Sequence, residues 1–224
     1  MTQICLVFDL DDTLYPEASF NRSGYRAAGR WAEQSLGLTD FGATLVELFD
    51  DGRRGDVFNA ALTAHGRPAD EATVARLVEV YRTHTPELTP FEDAIWALAH
   101  YGAQAPLGLV TDGYLRVQQA KVAALGIANR FRQIVYTDAL GGQEFWKPNP
   151  AGFAAIERAV PEAKAFVYIA DNATKDFIAP NARGWRTIRI VRPLGEHRAS
   201  QPPVGGEPHD DILSLMRLPD LLGS

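Results

Sequence analysis

The stretch ICLVFDLDDT, residues 4–13, decides the fold. Its five apolar residues follow one another without the alternation that a half-exposed strand shows. This pattern is typical of a strand buried on both faces of a parallel sheet. The acidic residues begin where the strand ends, and ligands of open parallel sheets collect at the carboxyl ends of the strands. Asp9, Asp11 and Asp12 are therefore the first candidates for a functional site.

Apolar runs of the same kind recur along the chain and predict further strands at 106–110, 134–136, 165–170 and 187–191, and residues 211–213 are predicted to form a last edge strand. Helical periodicity lies between them, at 91–101, 115–125 and 151–160. Strands that alternate with helices indicate βαβ units with right-handed crossovers. The sequence thus predicts an α/β fold, a doubly wound parallel sheet of Rossmann-like type. In the helix at 115–125 we expect the core face to carry Val117, Ala120, Ala124 and Leu125.

Residues 16–85 break this alternation. They show helical periodicity interrupted by Gly and Pro turns, without a buried strand. We predict an inserted α-helical unit over 16–85, within a core formed by 1–15 and 86–224. The Pro- and Gly-rich segment 192–208 is expected to be a loop.

Composition excludes several classes of function. The 224 residues carry a net charge of -6, which argues against general nucleic-acid binding because that requires clustered positive charge. A single cysteine, Cys5, allows no intrachain disulfide. No apolar stretch reaches the roughly 20 residues needed to span a bilayer, and the first residues lack a signal-peptide pattern. We expect a cytoplasmic protein.

Polar residues also follow the other predicted strands. The second strand leads into Thr111-Asp112-Gly113, the third leads through a loop to Lys147, and the fourth ends at Asp171, with Asp176 close behind. Because the carboxyl ends of parallel strands meet at one edge of a sheet, we expect these side chains to converge.

Four motifs in this order resemble the haloacid dehalogenase superfamily in its phosphatase branch. Asp9-x-Asp11-x-Thr13 is similar to the first motif of that family, and Thr111 with Asp112-Gly113 to the second. Lys147 resembles the third motif and Asp171-x-x-x-x-Asp176 the fourth. The resemblance covers the whole chain and implies that the helical insertion is a first-type cap.

The resemblance also implies roles. Asp9 would be the nucleophile and Asp11 the general acid and base, with Thr111 and Lys147 completing the catalytic set. Phosphate would be bound by Thr111, Asp112, Gly113 and Lys147. Mg²⁺ would be held by Asp9, Asp171 and the main-chain carbonyl of Asp11. Supporting roles fall to Asp176 and Asn172; for Asp176 the alternative is a first-turn helix acid.

Several neighbouring residues have structural interpretations. Asp12 is expected to be a turn or cap residue and Thr13 to hold the loop through its hydroxyl group. Lys175 is expected to be a solvated helix lysine, with a contact to phosphate as the alternative. Trp146 is either a pocket residue or a packing residue. Candidates for specificity are Glu17, Phe20, Asn21 and Tyr25.

The predicted function is a Mg²⁺-dependent phosphatase that acts on a small phosphorylated metabolite through an aspartyl-phosphate. Asp11 favours this reaction over dehalogenation, because a halide leaving group needs no acid. A phosphomutase and a catalytically silent binding protein of the same fold stay open as alternatives. The sequence does not determine the metabolite or the oligomeric state.

Overall fold

A computed structural model of the chain describes residues 4–223. In their contacts the described residues form two compact units. One consists of the residues up to Glu17 and from Thr89 onward, and the other of Ala18–Leu88. None of the helices formed by residues 4–223 combines the length and the apolar character needed to cross a bilayer.

The first unit contains a parallel sheet of six strands. They are β1 (Ile4–Phe8), β2 (Leu107–Thr111), β3 (Gln133–Tyr136), β4 (Ala165–Ala170), β5 (Arg186–Ile190) and β6 (Asp210–Ile212). Their order across the sheet is β3-β2-β1-β4-β5-β6, and every neighbouring pair is parallel. The predicted doubly wound α/β fold is confirmed.

Five helices of the described chain accompany this sheet. They are α5 (Glu92–Gly102), α6 (Leu115–Leu125), α7 (Ala151–Ala159), α8 (Ile178–Ala182) and α9 (Leu218–Leu222). Residues on one face of the sheet, among them Val7 and Tyr168, share a buried apolar cluster with Phe153 and Ile156 of α7. Leu6 and Phe8, which point to the opposite face of β1, are buried as well. Burial on both faces explains the unalternating apolar run in the sequence.

The second unit is helical. It contains nearly all of α1 (Glu17–Leu36), followed by α2 (Phe41–Asp50), α3 (Val57–Ala64) and α4 (Glu71–Thr83). Its own core is rich in aromatic residues, including Tyr25, Phe41 and Phe49. A Cβ atom on Gly29 would lie 2.4 Å from the Cα of Gly42, so glycine is needed where α1 and α2 cross. Its function as a cap stays a prediction.

Strand order places a crevice at one point of the sheet. The chain leaves β1 towards β2 and β3 on one side, then crosses to β4, β5 and β6 on the other. Ligands of such sheets bind outside the strand ends where this reversal occurs, which here is between β1 and β4. The two strands stay in register to their ends, because Phe8 is paired with Ile169 and the Asp9 N–H donates to the Ile169 carbonyl at 2.9 Å.

Candidate active site

Three carboxylates meet at this reversal point. Asp9 directly follows β1 and Asp171 directly follows β4, while Asp176 lies in the irregular segment before α8. Each residue offers one carboxylate oxygen, and these three oxygens lie within 4.8 Å of one another. All three residues are buried. Such a group of carboxylate oxygens has the chemistry that hard divalent cations prefer.

Lys147 supplies the nearest positive charge. Its Nζ lies 2.5 Å from Asp9 Oδ1 and 2.8 Å from Asp176 Oδ1, and it donates to the Tyr168 hydroxyl at 3.0 Å. Only 1% of its side chain is exposed. Burial alone would lower the pKa of Lys147, yet Asp176 and Asp9 hold it well above its ordinary value. Lys147 is therefore a fixed cation beside the predicted nucleophile.

One lysine does not balance three buried carboxylates. Burial raises the pKa of Asp9 to about 7, and Asp176 and Asp11 add to the rise against the opposing effect of Lys147. Burial, together with Asp176 and Asp9, also raises the pKa of Asp171 well above its ordinary value. A bound divalent cation would relieve this repulsion, so the residues present fit a metal site.

Asp11 faces a separate set of partners. Its Oδ1 accepts from Lys121 Nζ at 2.7 Å and from the Tyr15 hydroxyl, and its Oδ2 accepts from Gln118 Nε2 at 3.1 Å. Burial by itself would raise the pKa of Asp11, but the charge of Lys121 and these hydrogen bonds outweigh it and lower the pKa. The carboxylate of Asp11 is thus held by donors of its own and is not one of the three clustered carboxylates. Its predicted main-chain ligation stays a prediction.

The sequence did not reveal Lys121 and Gln118. The helix was predicted correctly at 115–125, but of its predicted core residues only Leu125 is buried. Ala124 is exposed, and the buried residues of α6 are Gln118, Lys121, Val122 and Leu125. Two polar residues three positions apart lie on the same face of a helix, and here their partner is Asp11. That spacing was the available signal, but it also occurs on solvated helices.

The segment around Thr111 is arranged differently from the prediction. α6 begins at Leu115, and the Leu115 N–H donates to the Asp138 carboxylate. The carboxylate of Asp112 accepts from the Lys147 N–H and the Thr137 hydroxyl, and an ionised carboxylate repels an anion, so the predicted phosphate contact of Asp112 would have to come from its main chain. Thr111 Oγ1 is buried without a hydrogen-bond partner among residues 4–223. This is consistent with a hydroxyl that donates to an oxygen of a bound ligand.

The loop after β4 corrects two interpretations. α8 begins only at Ile178, so Asp176 is not a first-turn helix acid, and its Oδ2 accepts from the Asn172 N–H at 3.0 Å. Lys175 is likewise outside any helix and forms a 2.7 Å ion pair with Asp112. It lines the site, so it is not a solvated helix lysine. Asn172 accepts from Thr174 and thereby shapes the loop.

The structure also gives the contacts of Asp12, Thr13 and three of the predicted specificity residues. Asp12 accepts from the N–H groups of Glu17 and Glu196, which agrees with a cap or turn role. The hydroxyl of Thr13 is buried and lacks a hydrogen-bond partner among the described residues, so its predicted loop-holding role is wrong. Phe20, Asn21 and Tyr25 all contact Tyr81 within the helical unit.

A cavity of about 250 Å³ connects these groups, and the residues that line it belong to the first unit alone. Trp146 lines it and donates to Asp138 through its indole nitrogen at 3.1 Å. Burial and the nearby Asp11 raise the pKa of Glu17 to about 8. The lining consists of Asp9, Asp11, Glu17, Asp112, Gly113, Tyr114, Val117, Gln118, Lys121, Trp146, Asp171, Asn172, Lys175, Asp176 and His197.

Known proteins resemble this chain in sequence and in fold. Residues 5–182 match the family model of the haloacid dehalogenase-like hydrolases. A glyceraldehyde 3-phosphate phosphatase of Methanopyrus kandleri is 30% identical over 88% of this chain and 87% of its own. One of the same name from Methanocaldococcus jannaschii is 25% identical over 84% of each chain.

Among solved structures, a putative HAD-hydrolase of Bacillus subtilis bound to magnesium covers 100% of both chains. Its TM-score is 0.67 and its identity 20%, so the likeness concerns the fold. The family match spans most of the chain and includes Asp9, Asp11, Thr111, Lys147 and Asp171, the residues gathered at the strand ends. The chain belongs to the haloacid dehalogenase-like hydrolases.

Proposed function

We propose that this protein is a Mg²⁺-dependent phosphatase that transfers the phosphoryl group of a small metabolite to Asp9 and then to water. The observation that carries the proposal is the convergence of Asp9, Asp171 and Asp176 within 4.8 Å beside Lys147. Relatives named as phosphatases support this reaction class.

The carboxylate of Asp9 is suited to attack phosphorus. It lies at the end of β1, and its Oδ1 is held by Lys147. A carboxylate nucleophile divides one difficult displacement into two easier ones. Attack on a phosphate is opposed by charge repulsion, and Lys147 reduces that repulsion on one side. Mg²⁺ held by Asp9 and Asp171 would neutralise carboxylate and phosphate charge on the other.

Asp11 is placed to move protons. In the first step its proton passes to the leaving oxygen as the bond from phosphorus to that oxygen breaks. In the second step water attacks phosphorus and gives a proton back to Asp11, while the bond between phosphorus and Asp9 breaks. The lowered pKa means that Asp11 is ionised in the free protein. Asp11 therefore has to take up the first proton from solvent as the substrate phosphate binds, and the attacking water returns a proton to it in the second step.

The anion site is formed by preorganised donors. Lys147 is fixed between two carboxylates, and the buried hydroxyl of Thr111 has hydrogen-bonding capacity to spare. Gly113 has a φ of 124°, which brings main chain to the cavity where a side chain would intrude. Each such donor typically contributes about 3 kcal/mol to the transition state.

Phosphate release from a panel of esters tests the proposal. Glyceraldehyde 3-phosphate comes first, because two of the relatives are named for it; a nucleoside 5′-monophosphate and a hexose phosphate complete the panel. We expect turnover with Mg²⁺, none after EDTA treatment, and recovery when Mg²⁺ is restored. A phosphomutase would convert a substrate while releasing little phosphate.

Two variants complete this experiment. Asp9→Asn keeps the size of the side chain and removes the nucleophile, so it should abolish Mg²⁺-dependent release. Asp220→Asn removes an exposed carboxylate in α9 and should behave as the parent protein. Full turnover by Asp9→Asn, or release that EDTA leaves unchanged, contradicts the proposal.

A further inference from the structure

Lys121 and Gln118 contact the carboxylate of Asp11 and have no role in the reaction described above. They project from the buried face of α6, and each is at most 4% exposed. Lys121 contacts one carboxylate oxygen of Asp11, and Gln118 contacts the other. Tyr15 adds a third donor to the oxygen held by Lys121. Asp11 keeps 20% of its side chain exposed, so the carboxylate is fixed from one side and open on another.

A role in stability does not account for these residues. A buried lysine loses its hydration, and an apolar residue of similar size often serves stability equally well. Gln118 also leaves its Oε1 buried without a donor among the described residues. That is unfavourable, because an unpaired buried acceptor loses its hydrogen bonds to water. The amide is held in this orientation by two acceptors of its Nε2, which are Asp11 Oδ2 and the carbonyl of Asp112.

The Asp11 carboxylate needs to be held in place because it lies close to the three-acid cluster. Asp9 and Asp11 are two residues apart, and the cluster that can hold a cation is formed by Asp9, Asp171 and Asp176. A cation there attracts any nearby carboxylate that is free to turn. Donors on both oxygens of Asp11 oppose that movement, because it would break the hydrogen bonds that Lys121 and Gln118 donate to the carboxylate.

On the basis of the proposed function, we propose that Lys121 and Gln118 are positioning residues that hold the Asp11 carboxylate where it exchanges a proton with the leaving oxygen, away from the metal-binding carboxylates. Each of the two aspartates of the first motif thus forms an ion pair with a different lysine. Lys147 pairs with Asp9, and Lys121 pairs with Asp11.

Leaving-group dependence tests this inference, because a proton donor matters only for a leaving oxygen that needs a proton. We compare kcat/KM for an alkyl ester, glycerol 3-phosphate, with that for 2,4-dinitrophenyl phosphate in the presence of Mg²⁺. Lys121→Met should lose about 100-fold on the alkyl ester, the lower range for general acid catalysis. It should lose little on the dinitrophenyl ester. Asp11→Asn should show the same selectivity, and Lys121→Arg should recover most of the loss.

Further variants keep the test decisive if Lys121→Met does not fold. Gln118→Met removes one hydrogen bond to a charged group and should lose about 10-fold, again selectively on the alkyl ester. Lys164→Met removes an exposed lysine and serves as the matched control. An equal loss on both esters, or no loss, overturns the positioning role while leaving the phosphatase intact. A parent protein that hydrolyses neither ester overturns the proposed function instead.

Discussion

Nζ of Lys147 lies 2.5 Å from Oδ1 of Asp9, at the ends of two segments that are 138 residues apart in sequence. The contact joins the loop after β3 to the end of β1, next to the strand-order reversal. It brings the predicted nucleophile and its cation together in the interior of the core unit.

The first prediction concerns this lysine. Lys147→Met leaves the carboxylates of Asp9 and Asp176 buried without their shared cation. Removing one partner of a buried ion pair typically costs about 3–5 kcal/mol. We therefore expect the free energy of unfolding to fall by about that amount in urea titrations at neutral pH.

Lys164→Met is the matched control for this change, because that lysine is exposed. Its free energy of unfolding should change by less than about 0.5 kcal/mol. Equal stability of the two variants would contradict the account of Lys147 as the cation that balances the cluster.

The second prediction concerns Asp176. Asp176→Asn removes one of the three carboxylates, while its amide oxygen can still accept the hydrogen bond from the Asn172 N–H. If Asp176 supports the metal site, the affinity for Mg²⁺ should fall about 10–100-fold, the range seen when groups around metal ligands are lost. Calorimetric titration with Mg²⁺ alone measures this, with Asp220→Asn as control. Unchanged affinity would limit Asp176 to fixing Lys147.

The third prediction concerns the pH dependence of stability. Arg192 forms two hydrogen bonds to the carboxylate of Asp93, at 2.7 and 3.0 Å, and Ser214 and the Leu215 N–H donate to it as well. Burial by itself would raise the pKa of Asp93, but these partners outweigh it and hold the pKa below its ordinary 3.8. A depressed pKa stabilises the fold above the ordinary value and ceases to do so as pH falls through the folded value.

Asp93→Asn should therefore lower the free energy of unfolding by about 3 kcal/mol at pH 7. The difference from the parent protein should shrink as the pH falls below the ordinary value of 3.8. Urea titrations at several pH values measure it. A difference that stays constant down to the acid range would show that the lost contribution is packing rather than charge.

The fourth prediction tests a glycine of the second motif. A Cβ atom on Gly113 would lie 2.5 Å from Gln118 Nε2, and its φ of +124° already disfavours a side chain. Gly113→Ala should displace Gln118 from Asp11 and lower kcat, with little change in Mg²⁺ affinity.

Gly126→Ala is the control for Gly113→Ala, because it also has a positive φ but its Cβ meets nothing within 4 Å. It should cost about 1 kcal/mol in stability and leave kcat unchanged. Equal kcat values for the two alanine variants would show that the position of Gln118 does not matter for turnover.

The ends of the strands could be predicted because the sequence pattern that marks them is local. The apolar runs ending at Asp9 and Asp171 are read from consecutive residues, and parallel strands must bring their carboxyl ends to one edge. The fold class and the gathering of Asp9, Lys147 and Asp171 followed from that rule. The roles of these residues stay predictions until they are tested.

The missed features depend on partners far away in sequence. Lys121 and Asp93 belong to apolar faces of α6 and α5 because Asp11 and Arg192 neutralise them, and these partners lie 110 and 99 residues away. No local pattern contains that information. Lys175 was misinterpreted for a different reason: the loop after β4 runs on to Ile178 before α8 begins, held by the contact between Asp176 and the Asn172 N–H.

The attachment of phosphate to Asp9 is the central claim, and trapping the covalent intermediate tests it most directly. The protein is mixed with substrate and Mg²⁺, quenched in acid during turnover, and reduced with tritium-labelled borohydride, which converts an acylated aspartate to homoserine and releases its phosphate. It is then digested with trypsin. The account predicts label on the peptide that ends at Arg22, with the reduction at Asp9, and no label in Asp9→Asn. Turnover that continues while label is absent, or is found on another residue, would contradict it.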